Sequence, residues 1–212
     1  LTWKIVAITD THNQHEVLDG KLPEGDVIVH AGDATDKGTL DELIPFFDWY
    51  GYLPYKHKIY VPGNHDYHID REIIQILCRE NNIIYLQNDG RFLQEDGKKD
   101  LFVYGAPVHP NFTDDTKDLQ DLHQEIPDEL DLLITHVPPY GMFDEVCEDF
   151  KQKCLGNYQL LQAVQNKKPK YHVFGHVHPG YGRGRRGDTV FVNACICDNR
   201  LRPINAPIIF EI

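Results

Sequence analysis

Five short groups of metal-type side chains punctuate the sequence. They are Asp10-Thr11-His12, Gly32-Asp33, Gly63-Asn64-His65-Asp66, His136 in Thr135-His136-Val137-Pro138, and Gly175-His176-Val177-His178. Imidazole nitrogen suits Zn, Fe, Ni and Cu, whereas carboxylate oxygen suits Mg and Mn. A mixed set of His, Asp and Asn fits borderline ions such as Mn, Fe and Zn. Asp10, His12, Asp33, Asn64, His136, His176 and His178 are the candidate ligands. One ion takes roughly four to six ligands including water, so this many protein ligands point to two ions sharing a bridge.

Scattered ligands need a scaffold that gathers them, and each group follows a short apolar run of strand length. Trp3 to Thr9, Asp26 to Ala31, His57 to Val61, Leu101 to Tyr104, Asp131 to Thr135, Tyr171 to Phe174, Thr189 to Asn193 and Pro207 to Glu211 read as strands. In layered α/β sheets ligands bind beyond the carboxyl ends of strands, where loops from different strands converge. Gly32, Gly63 and Gly175 would let the backbone turn sharply there.

Helices are expected between the strands. Thr39 and Glu42 form a capping-box pattern ahead of Leu40, Leu43, Ile44 and Phe47, which would share a face, with Pro45 distorting the helix or lying in its first turn. Asp70 to Asn82 and Asn157 to Asn166 read as two more, with Ile73, Ile74, Leu77 and Cys78, and Leu160, Leu161 and Val164, inward. Asn88 to Asp100 reads as a loop or hairpin, and Pro110 to Asp128 as a loop or short exposed helix. Alternating strands and helices without repeats or linkers indicate one α/β domain spanning 1–212.

Composition narrows the function. The 212 residues carry a net charge of −12, which argues against a duplex nucleic-acid face. Bound divalent cations would reverse that field locally for an anionic substrate. No apolar run reaches the roughly 20 residues of a membrane span, so no membrane partner is expected. The five cysteines, among them Cys195 and Cys197 on one face of an expected strand, read as reduced thiols of a cytoplasmic protein. Nothing in the sequence indicates an oligomeric state.

The five groups, in this order, resemble the calcineurin-like metallophosphoesterase superfamily, whose pattern is Asp-x-His, Gly-Asp, Gly-Asn-His-Asp/Glu, His, Gly-His-x-His. The match runs from Asp10 to His178. His136-Val137-Pro138-Pro139-Tyr140-Gly141, Lys170 to Gly175, Pro179 to Gly182 and Asn205 to Phe210 are similar to the metallophosphoesterase-domain-containing proteins of animals. Some of those lack the first histidine of the last motif; His176 is present here.

The resemblance implies a four-layer α/β/β/α sandwich of two mixed β-sheets flanked by helices. It implies that Asp10, His12 and His178 hold one ion, that Asn64, His136 and His176 hold the other, and that Asp33 bridges them. His65 would protonate the leaving group, with Asp66 orienting it and keeping it charged. The implied reaction is in-line attack of a metal-bridging hydroxide on a phosphodiester, small diesters such as cyclic nucleotides being the expected substrates. Mn is the ion expected to support activity in vitro, with Fe and Zn as further candidates. A phosphomonoesterase, a protein phosphatase and an inactive scaffold remain alternatives.

Other residues carry weaker signals. Asn13 reads equally as a phosphate contact or a helix cap, and His109 and Tyr140, like Phe112, are pocket candidates. His30 reads as a partner of the metal site or as a core histidine, and His15, His57, His68, His123 and His172 as structural or surface residues. Arg183, Arg185 and Arg186, set among glycines, read as a solvated hairpin tip.

Overall fold

A computed structural model describes residues 1–108, 122–148 and 151–212. His109, Phe112 and most of the 110–128 segment lie outside the described residues. The expected strands all form, with ends moved by a residue or two. The first sheet holds β1 (Lys4–Ile8), β2 (Val27–His30), β3 (His57–Tyr60) and β4 (Ile84–Tyr85), with β13 (Ile208–Glu211) at one edge. Its order is β13-β1-β2-β3-β4, and only β13 runs antiparallel to its neighbour. The second sheet comprises β5 (Asp89–Leu93), β6 (Leu101–Ala106), β7 (Leu132–Thr135), β10 (Tyr171–Phe174), β11 (Gly182–Arg186) and β12 (Thr189–Asn193). Its order is β11-β12-β10-β7-β6-β5, parallel inside and antiparallel at both edges. A separate hairpin pairs β8 (Glu145–Glu148) with β9 (Lys151–Cys154).

Alternation along each strand explains the layering, because successive side chains point to opposite faces. In β1, Ile5 and Ala7 face the cluster between the sheets, with Val29, Ile59, Val103, Ile134, Val173 and Val192. Val6 and Ile8 face the other way, against α1 (Leu40–Tyr52) and α2 (Arg71–Glu80). On the outer face of the second sheet, Leu133, Phe174 and Phe191 pack with Leu160, Ala163 and Val164 of α4 (Tyr158–Lys167). The short α3 (Leu122–Glu125) lies beside α4. The result is the expected α/β/β/α sandwich of two mixed sheets.

Helix details differ from the sequence reading. Thr39 precedes α1, but its side chain makes no capping bond, and Glu42 accepts the Lys37 amide at 2.8 Å instead. Leu40 and Ile44 are exposed; Leu43, Phe46, Phe47 and Tyr50 are the buried face. That apolar packing carries the helix past Pro45, which lies in its interior and forfeits one backbone bond. Asn157 does cap α4, its side chain accepting the Leu160 amide at 2.7 Å. Among the described residues, no helix is long and apolar enough to cross a membrane.

The two sheets meet where β1 ends. Thr9 forms a parallel bridge with Cys195, beyond the end of β12, and their backbones bond through Thr9 N to Ala194 O at 3.1 Å and Ile196 N to Thr9 O at 2.9 Å. The carboxyl ends of β1, β2, β3, β7 and β10 therefore open onto one seam.

Candidate metal centre

The seam gathers the ligand candidates in two groups. Asp10, His12 and His178 form one, and Asp33, His136 and His176 the other, their donor atoms within 4.8 Å of one another in each. Nε2 of His178 lies 3.2 Å from Asp10 Oδ1 and 3.3 Å from Nε2 of His12. Nε2 of His136 lies 3.2 Å from Asp33 Oδ2 and 2.9 Å from Asn64 Oδ1, so Asn64 joins the second group. Asp33 sits with His136 and His176, and its Oδ1 accepts the His65 amide at 2.8 Å.

The donor chemistry fits cations. A carbonyl or carboxylate only accepts, so a ring nitrogen against one must carry the proton. His178 Nδ1 faces Asp198 O at 2.9 Å, His136 Nδ1 faces Ala31 O at 2.9 Å, and His12 Nδ1 faces an Asp36 carboxylate oxygen at 3.1 Å. In each neutral ring the lone pair is therefore on Nε2. Those lone pairs point at carboxylate and amide oxygens and at one another, which is favourable only around positive charge. Without cations, protons supply it. His136, opposed by burial but held by Asp33, is pushed up to about 9. His178 is raised too: burial works against it, and the Asp10 contact prevails. Burial would raise the Asp10 carboxyl, yet its histidine neighbours, His178 foremost, hold it well below the usual range. Asp33 is likewise lowered, burial being outweighed by His136.

The backbone is bent to achieve this. Asp10, His12, Asn13, Asp33 and His176 all have positive φ, from 43° to 66°. Asp, Asn and His tolerate this region better than most residues, at a cost of order 1–3 kcal/mol each. Of the three motif glycines, only Gly32 needs the freedom of positive φ, at 103°. Gly175 and Gly63 are required for space: an added Cβ would lie 2.0 Å from Asp10 Oδ2 and 2.2 Å from Asp33 Oδ1 respectively.

His65 stands edge-on to His12, with ring centroids 5.0 Å apart. Its Nδ1 donates to Asp36 O at 2.7 Å, leaving Nε2 available. The expectation that Asp66 orients His65 is corrected. Asp66 is fully buried and accepts from Gly63 N at 2.9 Å, Thr35 N at 3.0 Å, Thr35 Oγ1 at 2.9 Å and Ala34 N at 3.3 Å. Its carboxylate ties the second motif loop to the third and has no hydrogen bond to the His65 ring. Burial, with Asp33 nearby, raises its pKa.

The remaining candidates separate. Asn13 is half-buried and caps nothing; its backbone N–H donates to Ala34 O at 2.9 Å. Tyr140 is 45% exposed, its ring 6.2 Å from that of Tyr158. His30 is a buried histidine in the aromatic cluster of α1, and its Nε2 reaches Thr11 Oγ1 at 3.0 Å; among the described residues it bonds no candidate ligand side chain. His15 and His172 are buried. The arginines lie on edge strand β11, where Arg183 bonds Ile209 O at 3.3 Å. Sequence reasoning missed Asp36, Asp198 and the Thr9–Cys195 pair, which contact the candidate ligands His12, His178 and Asp10 respectively. Cys195 and Cys197 do turn the same way, Cys195 onto Asp10 at 3.1 Å and Cys197 towards Thr11 O at 3.8 Å.

A layered seam of this kind, with two groups of side chains that could each hold a metal ion, suits a metal-dependent phosphoesterase. The sequence profile of the calcineurin-like phosphoesterase family matches residues 4–180, and the chain belongs to that family. It is 33% identical to metallophosphoesterase domain-containing protein 1 of Homo sapiens, over 99% of this chain and 71% of that protein. It is 38% identical to a UPF0046 protein of Caenorhabditis elegans, over 99% of this chain and 80% of the other. Among solved structures, TT1561 of Thermus thermophilus aligns with a TM-score of 0.58 at 15% identity, covering 91% of this chain and 89% of that one. A putative 5'-nucleotidase from Staphylococcus aureus aligns at 0.59 and 14% identity, covering 91% and 48%. These two likenesses concern the fold.

Proposed function

We propose that the chain hydrolyses small phosphodiesters, cyclic nucleotides among them, with two divalent cations at the seam. Asp10, His12 and His178 hold one cation; Asn64, His136 and His176 hold the other; Asp33 serves both. When bound, the cations supply an activated water and neutralise charge on the phosphoryl oxygens. The observation that carries the reading is His65, tethered by Nδ1 to Asp36 O at 2.7 Å beside the His12 ring. In its protonated form Nε2 can give a proton to the departing alkoxide. Such general-acid help contributes about 10²–10⁴-fold. An inactive scaffold has no use for a ring held in this way.

Diester preference follows from charge. Asp10, Asp33 and Asp36 offset most of the charge of two cations, and the chain as a whole carries −12. A monoanionic diester suits that field better than a dianionic monoester. Asn13 and Tyr140 are proposed to border the substrate. Mn is the proposed ion for activity in vitro. The described thiols, Cys78, Cys154, Cys195 and Cys197, are free, which suits the cytoplasm.

The test is turnover of metal-stripped protein restored separately with Mn, Mg and Zn. The substrates are an aryl phosphodiester, an aryl phosphomonoester and a cyclic nucleotide. Metal-dependent diester hydrolysis that is lost in His65→Asn supports the reading. Preferential monoester cleavage overturns the diester assignment, and absence of turnover with two ions bound overturns the enzymatic one.

A further inference from the structure

Three donors converge on one oxygen of Asp10. Thr9 Oγ1 donates to Oδ2 at 2.7 Å, Cys195 Sγ at 3.1 Å and the His176 amide at 3.0 Å. The amide is shared with Oδ1 at 3.1 Å, and Oδ1 otherwise faces Nε2 of His178 at 3.2 Å and of His12 at 4.0 Å. The Thr9 hydroxyl has one proton and a second acceptor in reach, Gly32 O at 3.0 Å. The carboxylate is the nearer and, being ionised, the stronger acceptor, so the hydroxyl proton goes to it. Cys195 is fully buried with its sulfur against an acceptor-only oxygen, so the contact requires S–H. The absence of a side chain at Gly175 leaves the room these donors occupy, since a Cβ there would lie 2.0 Å from Oδ2 and 2.5 Å from Thr9 Oγ1.

We infer that this cage is a positioning device: Thr9 and Cys195 occupy Oδ2, the His176 amide steadies both oxygens, and Oδ1 of Asp10 is the one left for a cation that His12 and His178 would share. The inference rests on reading Asp10, His12 and His178 as metal ligands. The donors come from three segments, the ends of β1 and β10 and the stretch beyond β12, so the cage also registers one sheet against the other. Hydrogen bonds to an ionised acceptor are roughly twice as strong as neutral ones, and loss of such outer partners costs about 10–100-fold in metal affinity. Cys195 is the member to test, because the His176 donor is backbone and Thr9 joins the sheets. It is a positioning residue and does not touch substrate.

The experiment is calorimetric titration of the metal-stripped full chain with Mn²⁺, in wild type, Cys195→Ala and Cys195→Ser, with thermal melting of each. Alanine removes the donor; serine keeps it. Cys195→Ala should weaken one of the two sites about tenfold and leave the other unchanged. Cys195→Ser should stay within about threefold of wild type. An alanine variant that binds both ions normally overturns the inference. Equal weakening in both variants overturns it too, because the thiol would then only fill space. The S–H infrared stretch of metal-loaded wild type, assigned by its loss in Cys195→Ser, gives a second reading that needs no alanine variant. A band shifted to low frequency is expected, and one at the position of a free thiol overturns the inference. Wild type that takes up no Mn²⁺ would instead refute the metal reading itself, so the two failures are distinct.

Discussion

Asp36 holds His65 by its backbone carbonyl, at 2.7 Å, while its carboxylate holds His12 at 3.1 Å. One residue thus sets the proposed acid and a proposed metal ligand, through different atoms. The two functions can be separated by mutation, because a side-chain substitution leaves the carbonyl in place.

Asp36→Ala is expected to weaken Mn²⁺ binding at one site by about tenfold, as loss of an outer partner of a ligating imidazole does. At saturating Mn²⁺ its kcat should remain close to that of wild type, since the His65 tether survives. Paired calorimetry and steady-state kinetics would show this; a collapse of kcat at full metal occupancy would contradict it.

His65→Asn should retain both ions and lose turnover by about 10²–10⁴-fold. The loss should be largest for substrates with poor leaving groups, which need the proton most. Rates across a series of aryl esters of graded leaving-group pKa provide the measurement. A uniform loss across the series would remove the acid role.

Asp33→Asn should lower metal content after dialysis, by more than either outer-partner variant, because it removes a charge from a buried group facing His136 at 3.2 Å. Elemental analysis against wild type checks this. Unchanged content would count against Asp33 as a shared ligand.

His172 predicts part of the acid sensitivity. It is fully buried, its Nε2 contacts Thr135 Oγ1 at 2.8 Å, and burial lowers its pKa from 6.5 to about 3. The unfolded chain therefore takes up this proton first as pH falls, and stability rises with pH across this window. The contribution is complete above pH ~6.5 and is lost progressively towards pH ~3, amounting to about 2 kcal/mol by pH ~5. In His172→Gln the difference in urea-unfolding free energy between pH 7 and pH 5 should shrink by about that amount. An unchanged difference would mean that the ring is protonated in the folded protein.

Metal removal should lower Tm. A ligand that binds only the folded state, at 100 times its Kd, stabilises by ~2.7 kcal/mol per site. For a chain of this size that corresponds to about 5–10 °C per ion. Melting with Mn²⁺ and with a chelator tests it.

The alternation of strands and helices and the positions of the candidate ligands were legible in the sequence because both are written in local patterns, whereas the sandwich itself came from the family resemblance. Apolar runs of strand length end directly in ligand residues, so finding β1 also located Asp10, and finding β10 also located His176. The missing parts depend on atoms without a side-chain signature. Asp36 acts partly through its carbonyl, and Asp198 holds His178 through a backbone oxygen. Asp66 follows His65 directly, yet its carboxylate turns to Ala34, Thr35 and Gly63, because backbone amides left open by two bent loops lie there. The β8–β9 hairpin is polar, and its pairing is not announced by apolar alternation. Leu40 and Ile44 looked inward by spacing, but the larger Phe46 and Tyr50 claimed the core face.

The closure of the first sheet orders the birth of the molecule. β1 is paired on one side by β13, with Trp3 and Ile212 exchanging backbone bonds at 3.0 and 3.1 Å, and Asp10 is bonded across 185 positions to Cys195. During synthesis His12 meets Asp36 24 positions on, whereas Asp10 waits 185 positions for the Cys195 thiol. Such distant pairings form late, since the loop must close before any contact rewards it. A growing chain stalled before Cys195 would therefore carry Asp10 without the thiol that holds its carboxylate, and the proposed site would be incomplete until that stretch joins β1.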